Sequence, residues 1–157
     1  MKNLLILLIF VIVCELAGIL ATPFTINAIP SWYSTLNKPP FSPPNFVFGP
    51  VWTILYMLMG LSAFLVWQKG VKKEKVKNAL QFFALQLFLN FIWSILFFGL
   101  RSPLLGLIDI LILWGLILIT IIKFHRVSRP AAYLLIPYIL WVSFATILNL
   151  SILLLNP

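Results

Sequence analysis

Two carboxylates and a set of tryptophans are the residues of this chain best placed to do chemistry. Glu15 and Asp109 lie inside long apolar stretches, where an acid is costly and faces protein or water rather than lipid. At helical spacing, Glu15 shares a face with Gly18, Thr22 and Thr25, and Asp109 shares one with Leu105, Ile112 and Leu116. Each acid serves either as an interhelical hydrogen-bonding group or as a ligand or proton site. Three further stripes mix aromatic surface with small or polar residues. They are Trp52, Tyr56, Met59 and Ala63, then Gln86, Asn90, Trp93 and Phe97, then Tyr138, Trp141, Ala145 and Leu148. Such stripes form either plain core packing or the wall of a ligand cavity.

Conventional catalysis finds no foothold. His125 is the only histidine and falls in a connector without a neighbouring cysteine or carboxylate. No metal-ligand cluster, nucleophile–histidine pair or glycine-rich phosphate loop can be assembled. Cys14 is the only cysteine and sits in an apolar segment, so it says nothing of disulfides. No cofactor is required by these residues. Any chemistry belongs to a bound ligand or to tryptophan.

The elements that must position these groups are membrane helices. A hydrocarbon crossing takes about 20 apolar residues, and residues 4–28, 46–67, 78–100, 103–122 and 130–155 meet or approach that length. The chain is 62% hydrophobic and 9% charged, whereas a soluble domain carries about 25% charged residues. The fold class expected is all-α integral membrane, a five-helix bundle forming one domain over residues 1–157. Lys2 and the apolar run behind it resemble a signal peptide, but the run resumes after Glu15 and is long enough to be a retained helix. Short connectors make successive helices antiparallel neighbours. Pro137 should kink the fifth helix, Trp67 reads as an interface anchor, and pattern alone does not assign Trp114. Five crossings and no internal repeat argue against a paired-repeat transporter.

The net charge of +8 is a matter of topology, not of nucleic acid. Lys2, Lys69, Lys72, Lys73, Lys75, Lys77, Lys123, Arg126 and Arg129 fall on one side of a five-span chain, leaving Lys38 and Arg101 on the other. By the positive-inside rule the N-terminus is cytoplasmic and the C-terminus external in a multi-pass protein of the cell membrane. The lipid bilayer is the partner this composition demands.

The connector over 26–45 stands apart. Its five prolines rule out a continuous helix, and Trp32, Tyr33 and Phe41 give it surface to pack. It is expected to be an ordered external cap, although Trp32 and Tyr33 also suit membrane-interface anchoring.

Taken in order, the motifs resemble the translocator protein family, TspO/MBR, also called tryptophan-rich sensory or peripheral benzodiazepine receptor-like proteins. The resemblance runs through Trp32-Tyr33, Leu36, Lys38-Pro39, Pro43-Pro44, Gly49-Pro50, Trp52 and Leu55-Tyr56. It continues through Leu89-Asn90, Trp93-Ser94, Phe97-Phe98-Gly99, Asp109 and Phe124-His125-Arg126-Val127-Ser128. It ends with Pro137-Tyr138, Trp141, Phe144-Ala145-Thr146 and Leu148-Asn149.

The resemblance implies a five-helix bundle with one cavity under a lid formed by the first connector. Its ligands would be protoporphyrin-type tetrapyrroles and other flat apolar molecules, serving porphyrin handling or stress sensing. Carried over, the lining is Trp52, Asn90, Trp141, Ala145 and Leu148, with Thr22, Thr25, Asp109 and Ile112 as further candidates. Tyr56, Trp93, Tyr138 and the loop residue Trp32 complete the expected ligand-binding set. It also implies two alternatives, porphyrin transport and a light- and oxygen-dependent porphyrin breakdown in which Trp52 and Trp141 would be the catalytic pair.

The chain departs from the family in two places. The C-terminal segment 150–157 lacks the Tyr and following Lys or Arg of the animal cholesterol motif. The third helix carries Ala79, Ala84, Ser94 and Gly99, no two of them four apart. Ala17/Ala21 and Gly18/Thr22 on the first helix do have small-xxx-small spacing, which keeps a homodimer open.

Overall fold

The structure, a computed structural model, describes residues 2–157 and holds no strand among them. Its helices are α1 (Lys2–Ala28), α2 (Asn45–Trp67), α3 (Glu74–Ser94), α4 (Pro103–His125), α5 (Arg129–Leu134) and α6 (Ile136–Leu155). A π turn over Ile95–Gly99 extends α3, and α5 with α6 makes up the fifth membrane-length segment. The five expected spans are all present, with corrected ends. α3 begins at Glu74 rather than 78 and α4 runs on to His125, so Lys75, Lys77, Lys123 and His125 are helical rather than connector residues. Apolar length reports hydrocarbon thickness, whereas a helix continues into the interface wherever its end charges suit the dipole. Glu74 in the first turn of α3 and Lys123 and His125 in the last turn of α4 do so. Ser102 caps α4 by accepting from the Leu105 N–H at 3.2 Å.

At Pro137 the fifth segment carries the expected interruption, confined to one residue that keeps helical dihedrals (φ −90°, ψ −7°). Leu135 stands between α5 and α6, its N–H bonded to Ala132 O at 3.1 Å in a tight turn. Proline at 137 has no N–H for the carbonyl four residues back, that of Tyr133, so the helical ladder loses a bond there. The break sends the two halves to different neighbours. α5 packs on α2 and α4, whereas α6 packs chiefly on α4.

Elsewhere the helices close tightly. A Cβ added at Gly60 would lie 2.6 Å from Val11 Cα, so α1 and α2 touch backbone to backbone there. On the next stretch of α1, a Cβ at Gly18 would meet the Tyr56 ring at 2.5 Å. Thus Gly18 of the small-residue stripe is filled from within the chain. Ser62 Oγ donates to Ala131 O at 2.7 Å, binding α2 to α5. Trp114 also acquires a role, since its Nε1–H donates to Ser143 Oγ at 2.8 Å across the α4–α6 contact. Glu15 and Asp109 do not act as interhelical hydrogen-bonding groups. Each has a buried carboxyl oxygen without a hydrogen-bond partner among the described residues.

The first connector is an ordered cap. A short 3-10 turn, Tyr33–Thr35, buries Tyr33 edge-on against Phe98 at 5.7 Å and Phe97 at 6.3 Å. Trp32 meets Phe97 at 5.6 Å, so both aromatics pack on the bundle instead of anchoring in lipid. Burial pushes the Tyr33 phenol above its usual range, which keeps it neutral. Lys38 Nζ donates to Tyr33 O at 2.8 Å and Leu36 O at 3.2 Å and lies 4.8 Å from the Tyr33 ring centre. Asn156, just past α6, clasps the loop. Its Oδ1 accepts from the Asn37 N–H at 2.9 Å, and its Nδ2 donates to Asn37 O at 2.9 Å.

Two outcomes are expected. Gly60→Ala should lower stability by about 1–3 kcal/mol, the usual cost of overpacking. Gly115→Ala, where a Cβ meets nothing within 4 Å, should not lower it; thermal unfolding in detergent compares them. Asn156→Ala removes two hydrogen bonds to the lid at about 1 kcal/mol each, and amide exchange over 29–44 should quicken at least tenfold.

Candidate ligand cavity

A cavity of about 380 Å³ opens between α1, α2, α3 and α6 under the cap. That volume is in the range of small-molecule sites. Antiparallel neighbours stack their lining residues in layers. Nearest the cap stand Ile29, Tyr33, Phe48, Phe97, Phe98 and Ile152, and farthest from it stand Glu15, Tyr56, Asn90 and Trp141.

Nine of the residues expected from sequence meet here: Thr22, Thr25, Trp52, Tyr56, Asn90, Trp93, Trp141, Ala145 and Leu148. The structure places the other four elsewhere. Asp109 and Ile112 belong to α4, which contributes nothing to the lining. Asp109 is buried within the bundle, and Ile112 is 54% exposed on the lipid-facing side. Tyr138 is buried behind the wall, edge-on to Trp52 at 6.3 Å. Trp32 lies in the cap and packs on Phe97 from outside.

Several lining residues leave little or no trace in the sequence pattern. Phe48 stands four residues before Trp52 on the same face, so the stripe on α2 extended outward would have found it. Phe98 carries no such signal. The π turn, closed by Leu100 N–H to Ile95 O at 2.8 Å, carries Phe97 and Phe98 side by side in the lining. Asn149 lines the wall while holding α3 and α4 together. Its Oδ1 accepts from Trp93 Nε1 at 3.2 Å and its Nδ2 donates to Pro103 O at 2.8 Å.

The walls are aromatic. Trp52 stacks on Tyr56 at 5.5 Å, Trp93 on Phe97 at 5.0 Å, and Trp141 meets Phe48 at 6.1 Å and Phe144 at 5.5 Å. One polar chain runs from the deep end into the core. The Tyr56 hydroxyl donates to Asn90 Oδ1, and Asn90 Nδ2 donates to Tyr138 Oη at 2.9 Å. The Tyr138 hydroxyl then donates to Gln86 Oε1 at 2.7 Å. With its oxygen and its nitrogen both engaged, the Asn90 amide is held in one orientation. The site can therefore stack a flat apolar molecule and orient it with a few fixed polar atoms. It holds no group of three or more His, Cys, Asp or Glu residues suited to a metal, among the described residues.

The sequence has relatives among known proteins. A sequence profile of the TspO/MBR family matches residues 10–155. The chain is similar to the tryptophan-rich protein TspO of Chlorobaculum tepidum, 46% identical over 156 residues and 99% of each chain. It is similar also to the translocator protein of Bos taurus, 39% identical over 89% of this chain and 83% of that one. With the tryptophan-rich sensory protein of Cereibacter sphaeroides it shares 38% identity over 80% of this chain and 77% of the relative. The match thus extends from the first membrane helix through the cap and cavity walls to the last, and the chain belongs to the TspO/MBR family.

Proposed function

We propose that this membrane protein binds protoporphyrin-type tetrapyrroles and other flat apolar molecules in the cavity beneath the cap, serving porphyrin handling or stress sensing. The observation that carries the reading is the wall itself. Trp52, Trp93 and Trp141 offer aromatic faces around about 380 Å³ of space, with the Asn90 amide fixed among them. Stacking supplies affinity for a planar macrocycle, and the fixed amide supplies orientation. The cap, clasped by Asn156, is the door through which such a ligand passes. A homodimer is compatible with this reading and not required by it.

A second reading has one observation in its favour. Trp52 and Trp141, both with oxidisable indoles, line the cavity. Under light and oxygen an indole beside a bound porphyrin can donate an electron while oxygen attacks the macrocycle, which is degradation rather than storage.

Protoporphyrin titration of the purified protein, dark and then illuminated, separates the two. Wild type should bind saturably. Trp52→Phe and Trp141→Phe should each weaken binding by no more than about tenfold, because phenylalanine still stacks at a difference of about 1 kcal/mol. Light-dependent bleaching lost in both variants would favour degradation, and absence of saturable binding would sink the tetrapyrrole reading.

The orientation proposed, N-terminus cytoplasmic, rests on the nine basic residues on one side. In a Cys14→Ser background, Ser31→Cys should react with an impermeant maleimide on intact cells, whereas Gly70→Cys should not.

A further inference from the structure

The deep end of the cavity carries a charge-bearing group that nothing in the chain answers. Glu15 is the lining residue of α1 farthest from the cap, and its Oε1 is buried without a hydrogen-bond partner. All eleven Lys and Arg residues lie at helix ends or in connectors, so none is available beside it. The hydroxyls that line the cavity between it and the cap point the same way chemically. Thr22 Oγ1 donates to Gly18 O at 3.0 Å, and Thr25 Oγ1 donates to Thr22 O at 2.9 Å. On the facing helix Thr53 Oγ1 donates to Gly49 O at 3.1 Å. The Tyr56 hydroxyl, stacked over Gly18 one turn from Glu15, gives its proton to Asn90. Each of these hydroxyls has committed its hydrogen within the protein and shows the cavity lone pairs only.

A carboxyl group with an oxygen buried in a membrane bundle is costly unless something pairs with it. Where the chain supplies no partner and the neighbouring oxygens are acceptors, the complement is a donor brought from outside. We propose that the floor of the cavity recognises a protonated amine carried on a flat aromatic ligand, with Glu15 as its counter-group and the Tyr56 oxygen as an auxiliary acceptor. This deepens the reading of the cavity as a site for flat apolar ligands and rests on it. It adds a polarity to the site: the cationic end of the ligand enters first and the apolar body fills the aromatic walls toward the cap. A charge-assisted hydrogen bond in a site shielded from water is the stronger kind, so the preference should be large.

The test uses two probes of nearly one shape, 1-(aminomethyl)pyrene and 1-ethylpyrene, titrated into the full chain in zwitterionic nanodiscs. Energy transfer from the cavity tryptophans to pyrene reports binding, and empty nanodiscs correct for partition into lipid. Wild type should bind the amine at least tenfold more tightly than the hydrocarbon. Glu15→Gln keeps the size and removes the charge. It should abolish that preference while retaining cooperative thermal unfolding, which shows that the variant is folded. Equal affinities in wild type, a preference that survives in Glu15→Gln, or failure of both probes to bind would each overturn the proposal. Protoporphyrin is titrated in parallel. Porphyrin binding without an amine preference leaves the tetrapyrrole reading standing and removes this one, and the reverse result does the opposite.

Discussion

A membrane interior supplies no water to an abandoned carbonyl, so a proline within a spanning segment has architectural consequences. Pro137 is where that constraint acts on this protein. The chain divides at Leu135 into a short α5 that holds α2 through the Ser62–Ala131 bond and a long α6 that leans on α4. α6 meets α2 through the Trp52–Tyr138 and Phe48–Trp141 ring contacts, beside which the cavity lies. The far end of α6 carries Asn156 to the cap.

The interior is organised by polarity as well as by apolar packing. Tyr56, Asn90, Tyr138 and Gln86 form a directed series of donors and acceptors through three helices. Such a series is stabilising only when every member is satisfied. It therefore fixes the mutual rotation of α2, α3 and α6, which apolar side chains sliding against one another would leave loose. Asn149, Trp93 and Pro103 repeat the device nearer the cap. The outer faces are mainly apolar. Leu5, Ile12, Leu111 and Leu140 stand exposed because their solvent is lipid.

Length and hydropathy made the five spans legible in the sequence, and periodicity made the inner faces of α2, α3 and α6 legible. What those signals lack is depth and depth-wise neighbours. Tyr138 shares a stripe with Trp141, yet one stands behind the wall and the other in it, a distinction that depends on where α6 tilts. Asp109 and Ile112 sit on a helix that the bundle order keeps away from the cavity, and bundle order is a long-range property. The helix ends lie beyond the apolar stretches because polar residues such as Lys75 and His125 continue a helix past the hydrocarbon. The clasp between Asn37 and Asn156 joins residues more than a hundred positions apart and leaves no local trace.

The π turn at the outer end of α3 holds one residue more per hydrogen-bonded ring than an α-helix does. In evolutionary terms it is equivalent to an insertion of one residue into a helix that both neighbours had already fixed. Excising any one residue of Ile95–Gly99 would let the helix relax to ordinary winding and swing the downstream chain by about 100°. Phe98 would then leave the cavity and the junction to α4 would fall out of register. The segment therefore tolerates exchange of side chains far better than a change in length, unlike the connector over 68–73, where an added residue would only lengthen a loop.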